Sequence, residues 1–446
     1  MTTAAAPSHI PGTTSGPYPA RPGNLVRPLI DGEAIARRLG EAVEAARHSV
    51  WLTVAFCSDD FSFPGGRGLL FDVLDRAAAR GVDVRLLVWR PNPEFRAGHR
   101  VFGGSSEQRA LLAKRGARFK IRWDRAAAGY CQHQKSWMID AGQPTETAFV
   151  GGMNLTSVAL LRHDIYVEIV GPSAMDVCHN FVERWNEATE RHAPDGNWAC
   201  EGMDVLPLPD RPSAPRGSAI VQVQRMLDPS RYLVDRVEQS IVEQYEHAID
   251  AARRTIFIVN QAVPVPRVAR PLLRAAERGV DIVLVVPAIP EDYAYKARLD
   301  PKGAALFDGI EALAPHRGFT LAGVAEHRAG RRRARYVHAK VMLVDDSWAT
   351  IGSCNLHFHS MGGNAEMNAS IWDGEVVRAL RCTLLAQHLA LDTASLDDRA
   401  ALRLFKEVAA GNRDRIERRE DDWQGSAFAL SPHDYARESG VKPDLT

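Results

Sequence analysis

The chain repeats itself. Ala42-Val-Glu-Ala-Ala-Arg-His-Ser-Val-Trp lines up with Ala248-Ile-Asp-Ala-Ala-Arg-Arg-Thr-Ile-Phe, and Arg76-Ala-Ala-Ala-Arg-Gly-Val-Asp-Val with Arg274-Ala-Ala-Glu-Arg-Gly-Val-Asp-Ile. The offsets are 206 and 198 residues, a drift of the kind that loop insertions leave between two homologous halves. Each copy must then fold to the same unit, and a pseudo-twofold axis would set equivalent segments face to face. Within the first copy, alanine-rich helical periodicity (Asp31 to His48, Gly68 to Arg80) alternates with β-rich runs (Ser49 to Phe56, Val82 to Trp89). Such alternation predicts parallel strands with helices laid across them. The expected fold is α/β: two homologous α/β sandwich halves with mixed, largely parallel sheets.

The repeat extends into a run that carries chemistry. His133, Lys135 and Asp140 are followed by Gly151, Gly152, Met153 and Asn154; His338, Lys340 and Asp345 are followed by Gly352, Ser353, Cys354 and Asn355. On a strand, a histidine and a lysine two apart share one face. An anion bound there meets an ammonium and an imidazole able to attack or to give a proton. The turns would let backbone and amide donors approach phosphate oxygens, so Gly151, Gly152, Gly352 and Ser353 are candidate substrate contacts. Asp140 and Asp345, at odd spacing from the lysines, would face away and bond backbone amides or an arginine. One H-x-K is common by chance; two with matching downstream glycines and asparagines are not.

This tandem pattern, H-x-K-x4-D…GGxN then H-x-K-x4-D…GSxN, resembles the phospholipase D superfamily, whose members carry a duplicated HxKxxxxD motif followed by GSxN or GGxN. The likeness runs from about Arg27 to His388. Joining the halves would place His133, Lys135, Asn154, His338, Lys340 and Asn355 around one phosphate. Two ammonium groups and two amides would neutralise and orient phosphoryl oxygens without a metal or cofactor. One histidine would attack phosphorus while the other protonates the leaving alcohol. The residues alone leave that order open; the resemblance implies His133 as nucleophile and His338 as acid/base. It also implies an acidic residue in each half that orients an imidazole, and Asp164 and Glu366 are the candidates.

Lys+Arg and Asp+Glu number 55 each, so no net field gathers polyanions, and no stable nucleic-acid partner is expected. No apolar run approaches the ~20 residues that span a bilayer, and Met1 to Gly23 lacks a basic n-region. A monomer is expected, cytoplasmic or peripheral on the cytoplasmic membrane. The six cysteines lack CxxC spacing, so neither zinc nor disulfides are indicated. The boundaries read as a disordered lead (1–25), a first half (26–203), a proline-rich linker (204–218), a second half (219–395) and a charged helical extension without assigned chemistry (396–446). Trp137, Phe358 and Met361 read as core rather than an acyl-facing rim, and Arg331 to Arg335 mostly as a solvated loop.

The expected activity is that of a phospholipid phosphodiesterase or phosphatidyltransferase working through a phosphohistidine at a membrane surface. It would give phosphatidic acid or move the phosphatidyl group to an alcohol. A cardiolipin synthase-type transferase, resembled by GGMN and by His359-Ser360-Met361-Gly362, is the first alternative. A metal-independent nuclease and a non-catalytic lipid-binding module follow.

Overall fold

The computed structural model describes residues 8–93, 101–227, 237–328, 330–437 and 445. Short apolar, β-branched runs become strands. In the first half these are β1 (Arg21–Ile30), β2 (Ser49–Val54), β3 (Asp83–Trp89), β4 (Lys120–Asp124), β5 (Ser136–Ile139), β6 (Thr147–Gly151), β7 (Ile165–Val170) and β8 (Asn197–Trp198). They lie in the order β1-β7-β6-β5-β2-β3-β4-β8. The second half supplies β9 (Ala219–Leu227), β10 (Thr255–Asn260), β11 (Asp281–Val285), β12 (Phe319–Arg328), β13 (Lys340–Val344), β14 (Trp348–Gly352), β15 (Glu366–Trp372) and β16 (Ala427–Ala429). Their order is β9-β15-β14-β13-β10-β11-β12-β16, the same pattern with the same sense at each pairing.

The duplication is therefore visible strand by strand. Between the strands named here, parallel pairing, expected to dominate, is confined to β2-β3-β4 and β10-β11-β12. The motif strands return through short connections rather than helical crossovers, and such connections can join only antiparallel neighbours. Edge strands β1 and β9 also pair with each other, Arg21 against Val221 and Asn24 against Ala219.

Helix α1 (Gly32–Ala45) buries Ile35, Leu39, Ala42 and Val43, a helical stripe, and packs with α2 (Leu70–Ala79) over one face of the first sheet. α4 (Ser240–Ala251) and α5 (Pro266–Glu277) do the same in the second. Between the sheets, α3 (Ala174–Glu187), α6 (Gly374–Leu389) and α7 (Asp398–Arg418) contribute Val177, Leu384 and Phe405 to a core shared with Val150, Val167, Val223 and Ile351. This shared layer packs the two halves against each other.

Two expectations are corrected. The lead is not disordered over its described part: Ile10 and Tyr18 are buried, and Gln222 bonds both Thr13 and Tyr18. Residues 1–7 lie outside the described residues. The C-terminal stretch is not merely a charged helix beyond the repeat, because β16 takes in the second sheet the place that β8 takes in the first.

Candidate active site

The motif histidines and Lys135 do not sit within strands as the two-residue spacing suggested, whereas Lys340 opens β13. β5 begins at Ser136 and β13 at Lys340, so His133, Lys135 and His338 lie on extended chain ahead of them. There each segment leaves its own sheet and pairs with the opposite half. His133 N–H donates to Ala365 O (2.9 Å), and Ala365 N–H to Cys131 O (3.1 Å); His338 N–H donates to His163 O (2.8 Å), and His163 N–H to Tyr336 O (3.0 Å). These two bridges are related by the pseudo-twofold axis.

The residues following the bridge partners are Glu366 and Asp164, and the bridges deliver their carboxylates across the interface. His133 Nδ1 lies 2.8 and 2.9 Å from the two oxygens of Glu366, and His338 Nδ1 lies 2.6 Å from Asp164 Oδ2. Each imidazole is thus oriented by the other half. Lys135 Nζ donates to His133 O (2.7 Å), while Lys340 Nζ bonds His338 O and Gln261 Oε1 (2.8 Å). All four of these side chains are buried.

The turn residues read as substrate contacts lie behind the site rather than in its wall. Ser353 Oγ donates to Glu366 Oε2 (2.5 Å), and Ser360 Oγ to Glu366 Oε1 (2.5 Å). A Cβ on Gly151 would fall 2.2 Å from the Tyr166 ring, one on Gly152 2.5 Å from Asp164 Oδ1, and one on Gly352 2.1 Å from Asn368 Oδ1. These glycines allow close packing against the carboxylate strands. Asp140 accepts the backbone N–H groups of Arg47, His48 and Ser49, and Asp345 those of Arg253, Arg254 and Thr255.

In front of the histidines opens a cavity of about 660 Å³, walled by His133, His338, Asn154 and Asn355 and, farther out, by Phe56, Tyr130, Arg162, Tyr293 and His357. The sequence reading did not include these outer residues. Arg162 and His357 follow the motif asparagines closely and could have been read from that position; Tyr130 comes from a loop and Tyr293 from the short helix Asp292–Leu299, neither with a pattern that marks it. Trp137 and Met361 are core, whereas Phe358 is exposed and lines a smaller pocket with Tyr293 and His357. In the arginine run, Arg332 bonds Asp421 and Arg335 pairs with Asp31.

A family model described as "Cardiolipin synthase, PLD-like domain" matches residues 39–185 and 245–386, once in each half. The chain belongs to the phospholipase D superfamily. Cardiolipin synthase A of Pseudomonas entomophila (strain L48) is 27% identical over 370 residues, covering 79% of this chain and 66% of that protein. Cardiolipin synthase of Listeria innocua serovar 6a is 24% identical over 372 residues, covering 81% and 68%. The chain thus spans about two thirds of the length of these relatives. Phosphatidylserine synthase of Haemophilus influenzae Rd KW20 has a similar fold, with a TM-score of 0.58 at 13% identity over 90% of this chain and 96% of that one.

The electrostatics of this superfamily site are set by burial, with two lysines facing two carboxylates. Burial pulls Lys135 down to about 8 and Lys340 down to about 7, against the opposing charges of Glu366 and Asp164. Burial likewise lowers His133 to about 4 and drives His338 well below its ordinary value. The carboxylates differ. Burial acts to raise Glu366, but His133, Lys135 and the Ser353 hydroxyl outweigh it and hold the group below its usual range; Asp164 is pushed up to about 7 by burial. A phosphate anion entering the cavity would favour the protonated form of every base around it.

Proposed function

We propose that the protein is a phospholipid phosphodiesterase or phosphatidyltransferase of the phospholipase D type, with a covalent phosphohistidine intermediate. The observation that carries this reading is the crossed pair of histidine–carboxylate contacts. Each carboxylate holds Nδ1, which keeps the proton there and leaves Nε2 for the cavity. His133 Nε2 attacks phosphorus, and the P–O bond to the headgroup breaks as His338, carrying protons on both ring nitrogens once the phosphate anion is bound, gives its Nε2 proton to the leaving alkoxide. His338 then takes the proton of an incoming water or alcohol, whose oxygen displaces the histidine as the P–N bond breaks. Lys135, Lys340, Asn154 and Asn355 stabilise the charge on the phosphoryl oxygens. Water gives phosphatidic acid, and an alcohol gives a new phosphatidyl ester.

The cardiolipin synthases among the relatives support a phospholipid substrate and favour transfer over hydrolysis. Among the described residues no helix is long and apolar enough to cross a membrane, and the reading places the protein peripherally on a membrane surface, as a monomer. The test is product analysis on mixed phosphatidylcholine, phosphatidylethanolamine and phosphatidylglycerol vesicles in excess chelator, with and without a primary alcohol. Phosphatidyl-alcohol formed only when alcohol is present supports the covalent route, and cardiolipin from phosphatidylglycerol selects the synthase. Inert lipid with cleavage of single-stranded nucleic acid would refute the reading.

A further inference from the structure

The second motif asparagine has a neighbour that no part of this mechanism has used. His357 follows Asn355 by two residues and caps the helical turn Phe358–Gly362, its Nδ1 accepting the N–H of Ser360 at 3.2 Å. A ring nitrogen that accepts carries no proton, and a neutral imidazole has one N–H, so the proton resides on Nε2. Burial, aided by the nearby His133, lowers this ring to about 3, which keeps it neutral.

Nε2 lies 3.4 Å from the Asn355 amide nitrogen. Two donors would then oppose each other, while Asn355 Oδ1 is buried without a hydrogen-bond partner among the described residues. Amide oxygen and nitrogen have nearly the same shape, and the hydrogen-bond network decides between them. Exchanging the two removes the clash of donors: Nε2–H donates to Oδ1, and the NH2 takes the place of the orphaned oxygen.

We infer that His357 is a positioning residue that locks the Asn355 amide, holding Oδ1 and leaving the NH2 as the donor for a phosphoryl oxygen bound beside it. Asn355 and His357 both line that cavity. In the first half Thr156 stands two residues after Asn154, so Asn154 has no imidazole at the matching position. The inference rests on the proposed phosphoryl chemistry for its consequence, but the lock itself is a property of the resting protein.

Two substitutions divide the roles of the ring. His357→Asn offers an oxygen where Nδ1 was, keeping the cap, and has nothing at Nε2. His357→Gln places an amide nitrogen near Nε2 and gives up the cap. Initial rates on phosphatidylglycerol vesicles and thermal midpoints are measured for both, in the wild-type and Asn355→Ala backgrounds. His357→Asn should melt near wild type and lose roughly tenfold or more in kcat with little change in KM. His357→Gln should melt lower yet recover most of that kcat. On Asn355→Ala, His357→Asn should cost nothing further. Wild-type kcat in His357→Asn, or an equal loss in both backgrounds, overturns the lock. Nitrogen-15 spectra of histidine-labelled protein report the tautomer without turnover: a proton on Nδ1 of His357 also overturns it. An inactive wild type with the expected tautomer would instead refute the proposed function and leave the lock standing.

Discussion

Replacing Glu366 by Gln tests the crossed carboxylate more sharply than removing a histidine. Glu366 is fully buried and accepts from His133 Nδ1 and from the hydroxyls of Ser353 and Ser360. A glutamine has one acceptor oxygen and one NH2 in the same space. The serine hydroxyls can rotate to accept, so packing survives. His133 cannot adapt without consequence, since an NH2 facing Nδ1 makes that nitrogen the acceptor and moves the ring proton to Nε2, removing the nucleophilic lone pair. Losing one charge-assisted hydrogen bond corresponds to about 1.5–3 kcal/mol, or roughly 10- to 100-fold in rate. A wrong tautomer in a comparable histidine–carboxylate pair costs on the order of 10⁴ in kcat. The expected result is a kcat reduced by about 10² to 10⁴ with a nearly unchanged melting midpoint. The assay is initial-rate headgroup release from vesicles beside a thermal melt. A variant within tenfold of wild-type kcat, folded normally, would refute the orienting role.

Gly152→Ser, which would make the two turns alike, should abolish most activity, because its Cβ would lie 2.5 Å from Asp164 Oδ1 and 3.1 Å from Lys340 Cδ; a kcat near wild type would show that the carboxylate tolerates displacement. Lys135 at about 8 and Lys340 at about 7 lie below their ordinary 10.5, so the unfolded chain binds more protons between those values. The lysines' contribution to stability therefore rises as pH climbs through that window. Urea midpoints at pH 7 and 10 should show wild type gaining on a Lys135→Met/Lys340→Met variant, and a constant difference would contradict the shifts. Phe405→Ala should lose about 3–5 kcal/mol by denaturant unfolding, because this fully buried ring packs against Phe257 and His388 in the shared core. A loss below 1 kcal/mol would mean that α7 is an appendage.

The duplicated fold was legible because the repeat preserves helix and strand patterns together, so the Ala42 and Ala248 copies fall on equivalent helices and strands. The candidate site residues were legible because H-x-K-x4-D recurs at fixed spacing and each copy is followed by a glycine turn that ends in asparagine. Three-dimensional pairing was not. The two-residue spacing suggested a strand face, yet His133 is held by a bridge to Ala365, more than two hundred residues away. Local periodicity has no access to such a contact. The close packing at the glycine turns was hidden for a related reason: a glycine reports that something approaches closely, and only the fold shows Tyr166, Asp164 and Asn368 doing so. The lead and the C-terminal strand escaped notice because short, weakly patterned segments order themselves only against surfaces the rest of the chain has built.

The near-symmetry of the site left the roles of the two histidines open from the residues alone, and the carboxylates break that symmetry. Glu366 receives two serine hydroxyls and is held ionised, whereas Asp164 takes the N–H of Ile165 and sits at about 7. A fixed negative charge on Nδ1–H stabilises the positive charge that develops when a ring attacks through Nε2, which favours His133 as nucleophile. A carboxylate near its midpoint makes a softer partner, suited to a ring that must release and recover a proton in one cycle, which favours His338 as acid and base. Phosphatidyl p-nitrophenol separates the roles, because its leaving group needs no proton. With it, His338→Asn should still form the phosphohistidine and accumulate it, since the base for the second step is gone. His133→Asn should form none. Label trapped on His133→Asn would reverse the assignment and show that the ionised carboxylate serves the acid rather than the nucleophile.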